Sequence, residues 1–158
     1  MLEFSGPVWR ILYLSQMNAP LAPARAPEGR FHYSGQTALY ASLSEEGAGV
    51  AIRRYVSASD PPRVMQQAQI TGAKLFDVRG QSDASIVWQD THERQGTSPT
   101  WQYSDRARDA GADGLLYSSR SRPELSHIVL FNTSPALIRI DAPAQAWTPP
   151  YSQRSLDR

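Results

Sequence analysis

The chain consists of short apolar segments interrupted by prolines, glycines and polar residues, and this pattern constrains its fold most. Residues 8–14 (VWRILYL) are rich in β-branched and aromatic side chains, which is typical of a strand. The Pro/Ala-rich residues 18–29 cannot continue that strand and predict a long loop. The same criteria predict six further strands, in TALYAS (37–42), RVMQQAQI (63–70), AKLFDV (73–78), GLLYSS (114–119), HIVLF (127–131) and ALIRI (136–140).

Two stretches predict helices. Ser42 followed by Glu45 fits a capping box and predicts a helix through about Tyr55. Ser98 followed by Pro99 fits an N-cap and first turn, and predicts a second helix through about residue 110. Because strands and helices do not alternate regularly, we expect an α+β fold rather than a doubly wound sheet. The predicted organisation is one domain over residues 1–141 and a C-terminal tail over residues 142–158.

The composition argues against several classes of function. The chain has no cysteine, and its three histidines (His32, His92 and His127) have no ligand-like spacing, so neither thiolate chemistry nor a metal site is predicted. Sixteen basic and fifteen acidic residues give a net charge of +1, which does not favour direct nucleic-acid binding. No window approaches the ~18 apolar residues that a membrane span needs, and we expect a cytoplasmic protein.

Five polar residues lie at the ends of predicted strands or beside them, where a mixed sheet can bring them together. Each has an ordinary explanation: Arg10 as an arginine paired across a sheet edge, Arg30 in a surface ion pair, Tyr40 in the core, and Ser118 and Ser119 as turn caps. The known nucleophile-elbow and phosphate-loop motifs are absent. The residues alone therefore predict arginines for an anionic ligand and name no reaction.

Four motifs in order are more informative than any single residue. They are WR (9–10), GRF (29–31), ALYAS (38–42), and DGLLYSS followed by SHIVLF (113–131). In this order and spacing they resemble the RES domain family, whose known members are mostly toxins of bacterial toxin-antitoxin pairs. The resemblance spans about residues 8–132, which is most of the chain.

The resemblance implies an α+β fold with a mixed, split β-sheet core flanked by helices, similar to ADP-ribosyltransferase toxins. It implies a cleft that binds NAD+ as a substrate, with no prosthetic group, and breaks the nicotinamide–ribose bond with water or phosphate as acceptor. The usual partner is an antitoxin with a helix-turn-helix region that covers the site. A homo-oligomer remains a further option.

The resemblance also assigns roles to residues by position. Arg10 and Arg30 are expected to hold the phosphates of NAD+, because two guanidinium forks suit a pyrophosphate. Tyr40 is expected at the nicotinamide end, and Ser119 is expected to orient a ribose hydroxyl or the attacking group. His32 replaces an asparagine of the family pattern and joins the substrate-binding residues.

The family glutamate is missing from its expected place. The stretch GVAIRR (49–54) aligns with the family's helix and puts Ala51 at the glutamate position. Glu46 is the predicted catalytic substitute, although at ~100° per residue an ideal helix points both Glu45 and Glu46 away from the Ala51 face. The alternative is a catalytically inactive module on the same fold, which binds NAD+, ADP-ribose or a protein partner.

Overall fold

The computed structural model describes residues 1–86 and 97–150. The histidine His92, the second half of the apolar stretch SIVW (85–88) and the tail beyond residue 150 lie outside the described residues. The strands are β1 (Leu2–Tyr13), β2 (Leu39–Ser42), β3 (Arg63–Asp77), β4 (Gly114–Ser118), β5 (Ser126–Leu130), β6 (Ile138–Ile140) and β7 (Gln145–Trp147). Within the described residues the helices are α1 (Glu45–Ile52) and α2 (Trp101–Asp109), with 3₁₀ turns at Leu14–Gln16, Arg53–Tyr55 and Ser82–Ala84.

The seven strands found in residues 1–86 and 97–150 form one mixed sheet, which an additional pairing between β1 and β3 closes. The strand order is β1-β2-β5-β4-β3-β6, and β1 also pairs antiparallel with β3 from Leu2 opposite Leu75 to Tyr13 opposite Arg63. The β3–β4 pair is parallel, whereas the other pairs are antiparallel. The expected single domain with a mixed sheet and helices is confirmed in the part of the chain that the structure describes.

Strand β3 is longer than predicted. The sequence predicted two strands separated at residues 71–72, but the chain continues through this point as one strand of 15 residues. A β-bulge absorbs the irregularity: the pairing register with β1 shifts between Phe4 and Gly6, and Gly72 has a φ of +63°. The Gly72 amide donates a hydrogen bond to Ser5 Oγ at 2.8 Å. The prediction of two strands is therefore wrong, because a glycine bulge bends the strand without ending it.

The N-cap of each helix lies two residues after the predicted one. The N-cap of α1 is Ser44, whose Oγ accepts a hydrogen bond from the Gly47 amide at 2.9 Å. Ser42 instead ends β2, and its Oγ lies 2.7 Å from Nδ1 of His127 on the neighbouring strand. A position in the sheet thus excludes Ser42 from capping the helix.

For α2, the N-cap is Thr100 rather than the predicted Ser98. Residues 98–100 form a preceding turn, in which the Trp101 amide donates to the Ser98 carbonyl at 3.1 Å. The Ser98 hydroxyl lies 2.6 Å from the Thr100 hydroxyl, so it is used within the turn. The helix ends at Asp109, one residue before the predicted end.

Two apolar clusters hold the sheet together. The first contains residues of all strands from β1 to β6, and the second packs beneath α2. Burying each large aliphatic or aromatic side chain contributes about 1.5–3 kcal/mol. All five residues of β4 are buried, as are four of the five residues of β5, which explains their continuous apolar sequences.

Strand β7 lies within the segment that the sequence predicted as a tail. It pairs antiparallel with β3, placing Trp147 opposite Arg63. No helix within residues 1–86 and 97–150 is long and apolar enough to cross a membrane. In the same residues, no group of three or more His, Cys, Asp or Glu side chains is placed to hold a metal ion.

Candidate functional site

A cleft of about 510 Å³ opens where α1 and the loop before β2 meet the edges of four strands. Its volume is in the range of small-molecule sites. Five of the six residues predicted from the sequence line it, namely Arg10, Arg30, His32, Tyr40 and Ser119. The structure therefore brings together residues that are up to 109 positions apart in the sequence.

The lining of the cleft is strongly cationic. Four of the described residues that line it are arginines, namely Arg10, Arg30, Arg54 and Arg120. Among the described lining residues, Glu28 is the only acidic one. Because like charges are held near one another, the cleft is suited to an anionic ligand that carries more than one negative charge.

Arg10 is fixed by the Pro/Ala-rich loop. Its Nη1 donates to the Pro20 carbonyl at 2.7 Å and to the Ala22 carbonyl at 3.4 Å. Its Nε is buried and has no hydrogen-bond partner in the described part of the chain. Burial lowers the pKa of Arg10 to about 10, so the guanidinium remains charged at neutral pH. A buried, charged group with an unused donor is a feature that a bound ligand would explain.

Helix α2 holds the loop that carries Arg30. Trp101 Nε1 donates to the Gly29 carbonyl at 2.8 Å, and the Thr100 hydroxyl donates to the Arg30 carbonyl. Further along α2, Arg108 donates to the Phe31 carbonyl at 2.9 Å. Three successive carbonyls are thus tied to one helix, which fixes the Arg30 backbone.

The Arg30 guanidinium lies over the ring of Tyr117, 5.6 Å from the ring centre. This separation is within the range of a cation–π contact. Tyr117 is buried in β4, and burial raises the pKa of its hydroxyl to about 12, while the nearby Arg30 charge acts in the opposite direction. Tyr117 therefore remains protonated at neutral pH, and its ring packs against the Arg30 guanidinium.

His32 and Tyr40 form a hydrogen-bonded pair in the wall of the cleft. Nδ1 of His32 lies 2.8 Å from the Tyr40 hydroxyl, and Nε2 lies 2.9 Å from the Ala26 carbonyl. The Phe31 amide also donates to the Tyr40 hydroxyl at 3.0 Å. Burial raises the pKa of Tyr40. Since both ring nitrogens of His32 are used within the protein, its geometry suits positioning Tyr40 better than binding a ligand.

Ser119 follows β4 and begins the loop towards β5. Its Oγ accepts a hydrogen bond from the Arg122 amide at 3.2 Å, and its amide donates to the Leu125 carbonyl at 2.9 Å. The turn-capping alternative for this serine is therefore observed. The hydroxyl hydrogen is still available for donation, so capping the turn and contacting a ligand are compatible. Ser118 does not line the cleft and accepts from the Gly80 amide at 3.1 Å.

His127 and Ser42 lie opposite each other on β5 and β2 and both line the cleft. Their side chains are 2.7 Å apart, and each is at most 4% exposed. Burial, with a smaller contribution from the Arg30 charge, lowers the pKa of His127 to about 4. The imidazole is thus neutral at physiological pH and adds no charge to the cleft.

Glu46 is not among the residues that line the cleft. Its carboxylate lies 3.1 Å from Nη2 of Arg122, and its side chain is 62% exposed. Ala51 lines the cleft together with Ala48 and Arg54, which share its helical face. The geometry agrees with the expectation that Glu46 points away from Ala51, and the catalytic role of Glu46 stays a prediction without a contact to support it.

Several residues of the site were missed by the sequence analysis. The sequence predicts an apolar strand at Tyr117 and a helix at Trp101 and Arg108, but assigns none of them to the site. Arg54 is three residues after Ala51 and therefore on the same helical face, and this spacing could have identified it as a cleft residue. Glu28 and Arg120 lie in loops, where the sequence offers no periodicity from which to infer direction.

One comparison with known proteins gives the family, and another gives the fold. The chain matches a family model described as RES domain over residues 7–152. No curated protein matches the chain. Among solved structures, it is similar to a chain in the crystal structure of the M. tuberculosis MbcT-MbcA toxin-antitoxin complex, with a TM-score of 0.60 and 15% identity over 98% of this chain and 90% of that chain. At this identity the structural likeness shows the fold alone.

Proposed function

Since the chain belongs to the RES domain family, we propose that it is an NAD+-degrading toxin that cleaves the nicotinamide–ribose bond. The observation that carries the proposal is the state of Arg10, a charged guanidinium in the cleft wall whose buried Nε has no partner within the described residues. A pyrophosphate offers the acceptors that such a donor lacks. A fold related to ADP-ribosyltransferase toxins is part of the same proposal.

The ligand is oriented by its charge. Arg10 and Arg30 hold the pyrophosphate, and the half-buried ring of Tyr40 contacts the nicotinamide end. The Tyr40 hydroxyl is already bonded to the Phe31 amide and lies beside His32, so its ring rather than its hydroxyl is available for stacking. Ser119 donates its remaining hydrogen to a ribose hydroxyl or to the attacking group.

The reaction needs little covalent chemistry from the protein. The bond between ribose C1′ and the nicotinamide nitrogen breaks, and its electron pair leaves with nicotinamide, which departs as a neutral molecule. Ribose becomes an oxocarbenium-like cation. Water or phosphate then forms a bond to C1′, giving ADP-ribose and a proton, or ADP-ribose 1″-phosphate.

We also propose an antitoxin partner, with a helix-turn-helix region, that covers the cleft. The similar solved structure is that of a toxin-antitoxin complex, which supports this part of the proposal. The cytoplasm, where NAD+ is abundant, is the proposed place of action.

The test is to incubate the purified protein with NAD+ and to measure nicotinamide release, with and without phosphate. We expect release above that of a buffer control and of a heat-denatured sample. A phosphate-dependent rate identifies phosphate as acceptor, whereas a phosphate-independent rate identifies water. Absence of release under both conditions, from protein shown to be folded, overturns the proposed cleavage.

The second candidate is a module that binds NAD+ or ADP-ribose without cleaving it. It is favoured by Ala51, which lines the cleft where the family has its glutamate. This candidate predicts heat of binding for ADP-ribose in calorimetry, together with stable NAD+ over hours. Folded protein that gives no heat with either ligand removes this candidate as well.

A further inference from the structure

The arginines that line the cleft do not stabilise the positive charge that the proposed reaction develops on the ribose. Loss of nicotinamide places positive charge on the ribose, and a nearby negative charge lowers the barrier to that step. The four lining arginines disfavour a cation, while Ala51 supplies no charge from α1. We propose that Glu28 contacts the ribose and supplies the missing carboxylate from the loop before β2. This inference rests on the proposed function, NAD+ cleavage.

The first support is elimination among the acidic residues. Glu28 is the only one that lines the cleft in residues 1–86 and 97–150. The other acidic residues in these ranges do not line the cleft; Glu46 lies 3.1 Å from Arg122 and Asp77 lies 2.7 Å from Arg79. Asp105 similarly accepts a hydrogen bond from the Tyr33 hydroxyl at 2.8 Å.

The second support is the fixed backbone beside Glu28. The next residue, Gly29, donates its amide to the His32 carbonyl at 2.9 Å and accepts at its carbonyl from Trp101 at 2.8 Å. A Cβ at position 29 would lie 2.4 Å from Cε1 of His32, so the loop is closely packed there. Glu28 is half-buried and directly precedes this fixed backbone, and a fixed backbone favours the preorganisation that electrostatic catalysis requires.

The third support is that Glu28 and Arg30 are two residues apart on this loop and both line the cleft. A ligand whose phosphates contact Arg30 therefore meets a carboxylate on the same wall. NAD+ has this alternation of charge along its length, with a negative pyrophosphate, a ribose that becomes positive, and the leaving nicotinamide.

The proposed hydrolysis needs no reactant other than NAD+ and water. Glu28 stays ionised while the C1′–nitrogen bond breaks and its electron pair leaves with nicotinamide. When water is the acceptor, Glu28 takes one of its protons as the new C1′–oxygen bond forms, and later releases that proton to solvent. The products are nicotinamide, ADP-ribose and one proton.

The test compares Glu28→Gln with Glu3→Gln, which removes an equivalent charge outside the cleft. We expect Glu28→Gln to slow nicotinamide release by about 100-fold or more while NAD+ binding, measured by calorimetry, is unchanged or tighter. Glu3→Gln is expected to change the rate by less than about twofold, since Glu3 is exposed and does not line the cleft. A rate for folded Glu28→Gln within about threefold of the unmodified chain overturns the role of Glu28.

A second variant separates charge from folding. Glu28→Asp keeps the carboxylate and is expected to retain more activity than Glu28→Gln at equal thermal stability. Equal loss in both variants contradicts a role for the charge. If the unmodified chain releases no nicotinamide, the proposed function fails together with this inference. If it does release nicotinamide and Glu28→Gln is as fast, only the inference about Glu28 fails.

Discussion

Nδ1 of His32 and the hydroxyl of Tyr40 lie 2.8 Å apart, joining β2 to the loop that carries Arg30. The Ala26 carbonyl can only accept a hydrogen bond, so Nε2 of His32 carries the hydrogen in that contact. In the neutral ring, Nδ1 is then the acceptor and the Tyr40 hydroxyl the donor. The same hydroxyl accepts from the Phe31 amide, and both of its hydrogen-bonding roles are filled.

Replacement of Tyr40 by phenylalanine is expected to destabilise the chain. The change leaves the Phe31 amide and Nδ1 of His32 without their partner in a buried place, which costs about 1–3 kcal/mol. The measurement is the free energy of unfolding in urea. Tyr55→Phe is the control, because Tyr55 is 59% exposed, and its change is expected to stay below about 0.5 kcal/mol. Equal effects of the two changes would contradict the hydrogen-bonded pair.

Two glycine-to-alanine replacements are expected to change the stability of the chain in opposite directions. A Cβ at Gly29 would lie 2.4 Å from Cε1 of His32, and we expect Gly29→Ala to cost about 1–3 kcal/mol. In α1, a Cβ at Gly49 meets only Trp147 at an ordinary 3.7 Å, and Gly49→Ala is expected to stabilise by about 0.5–1 kcal/mol. Thermal unfolding of both variants checks the signs. Stabilisation by Gly29→Ala is the result that rejects the close packing of the loop.

The buried His127 is expected to make stability depend on pH. Its pKa is lowered from an ordinary 6.5 to about 4, chiefly by burial, so the unfolded chain binds a proton at a higher pH than the folded chain. The stability is fully present above pH 6.5 and is progressively lost as the pH falls towards 4. The loss from this group reaches up to about 3 kcal/mol.

His127→Gln isolates this contribution from that of the carboxylates. The variant is expected to lose less stability than the unmodified chain between pH 6.5 and pH 4, in urea unfolding at each pH. An NMR titration of the imidazole provides a direct check. Titration of His127 near pH 6.5 would falsify the burial argument.

Arg10 is expected to dominate the affinity for the phosphates. Hydrogen bonds to charged groups contribute about 1.5–3 kcal/mol, so Arg10→Gln should weaken ADP-ribose binding by about 10- to 100-fold. ADP-ribose is the suitable probe because it lacks the labile nicotinamide bond. Arg79→Gln is the control, since Arg79 pairs with Asp77 outside the cleft. Equal affinities of the two variants contradict the role of Arg10.

Ala51→Glu is expected to raise the rate of nicotinamide release by at least about 10-fold, because it adds a second negative charge to the cleft wall. Ala51 is exposed at that wall, so the longer side chain has room. Ala51→Gln provides a neutral side chain of the same size. A gain in both variants indicates shape rather than charge, and no gain in either contradicts the placement of position 51 beside the ribose.

The candidate site could be predicted in part because its members occur in a recognisable order. Arg10 and Tyr40 lie in segments whose β-branched and aromatic composition predicts strands, and the motifs around them identify partners far along the chain. Ser42 shows the limit of this approach. The sequence around Ser42 fits both a helix cap and the end of a strand. Only the pairing of Ser42 with His127, between β2 and β5, shows that it ends the strand.

The sequence by itself determined the α+β class, most of the strands, and the set of arginines that an anionic ligand requires, because these depend on local composition and order. The tertiary structure decided which charges face one another. Glu28 lies in the cleft because α2 holds its loop, whereas Glu46 lies outside it because α1 directs its side chain towards Arg122. The contacts that fix each position join residues more than 70 positions apart. Such contacts leave no periodicity in the sequence, since each joins a single pair of residues.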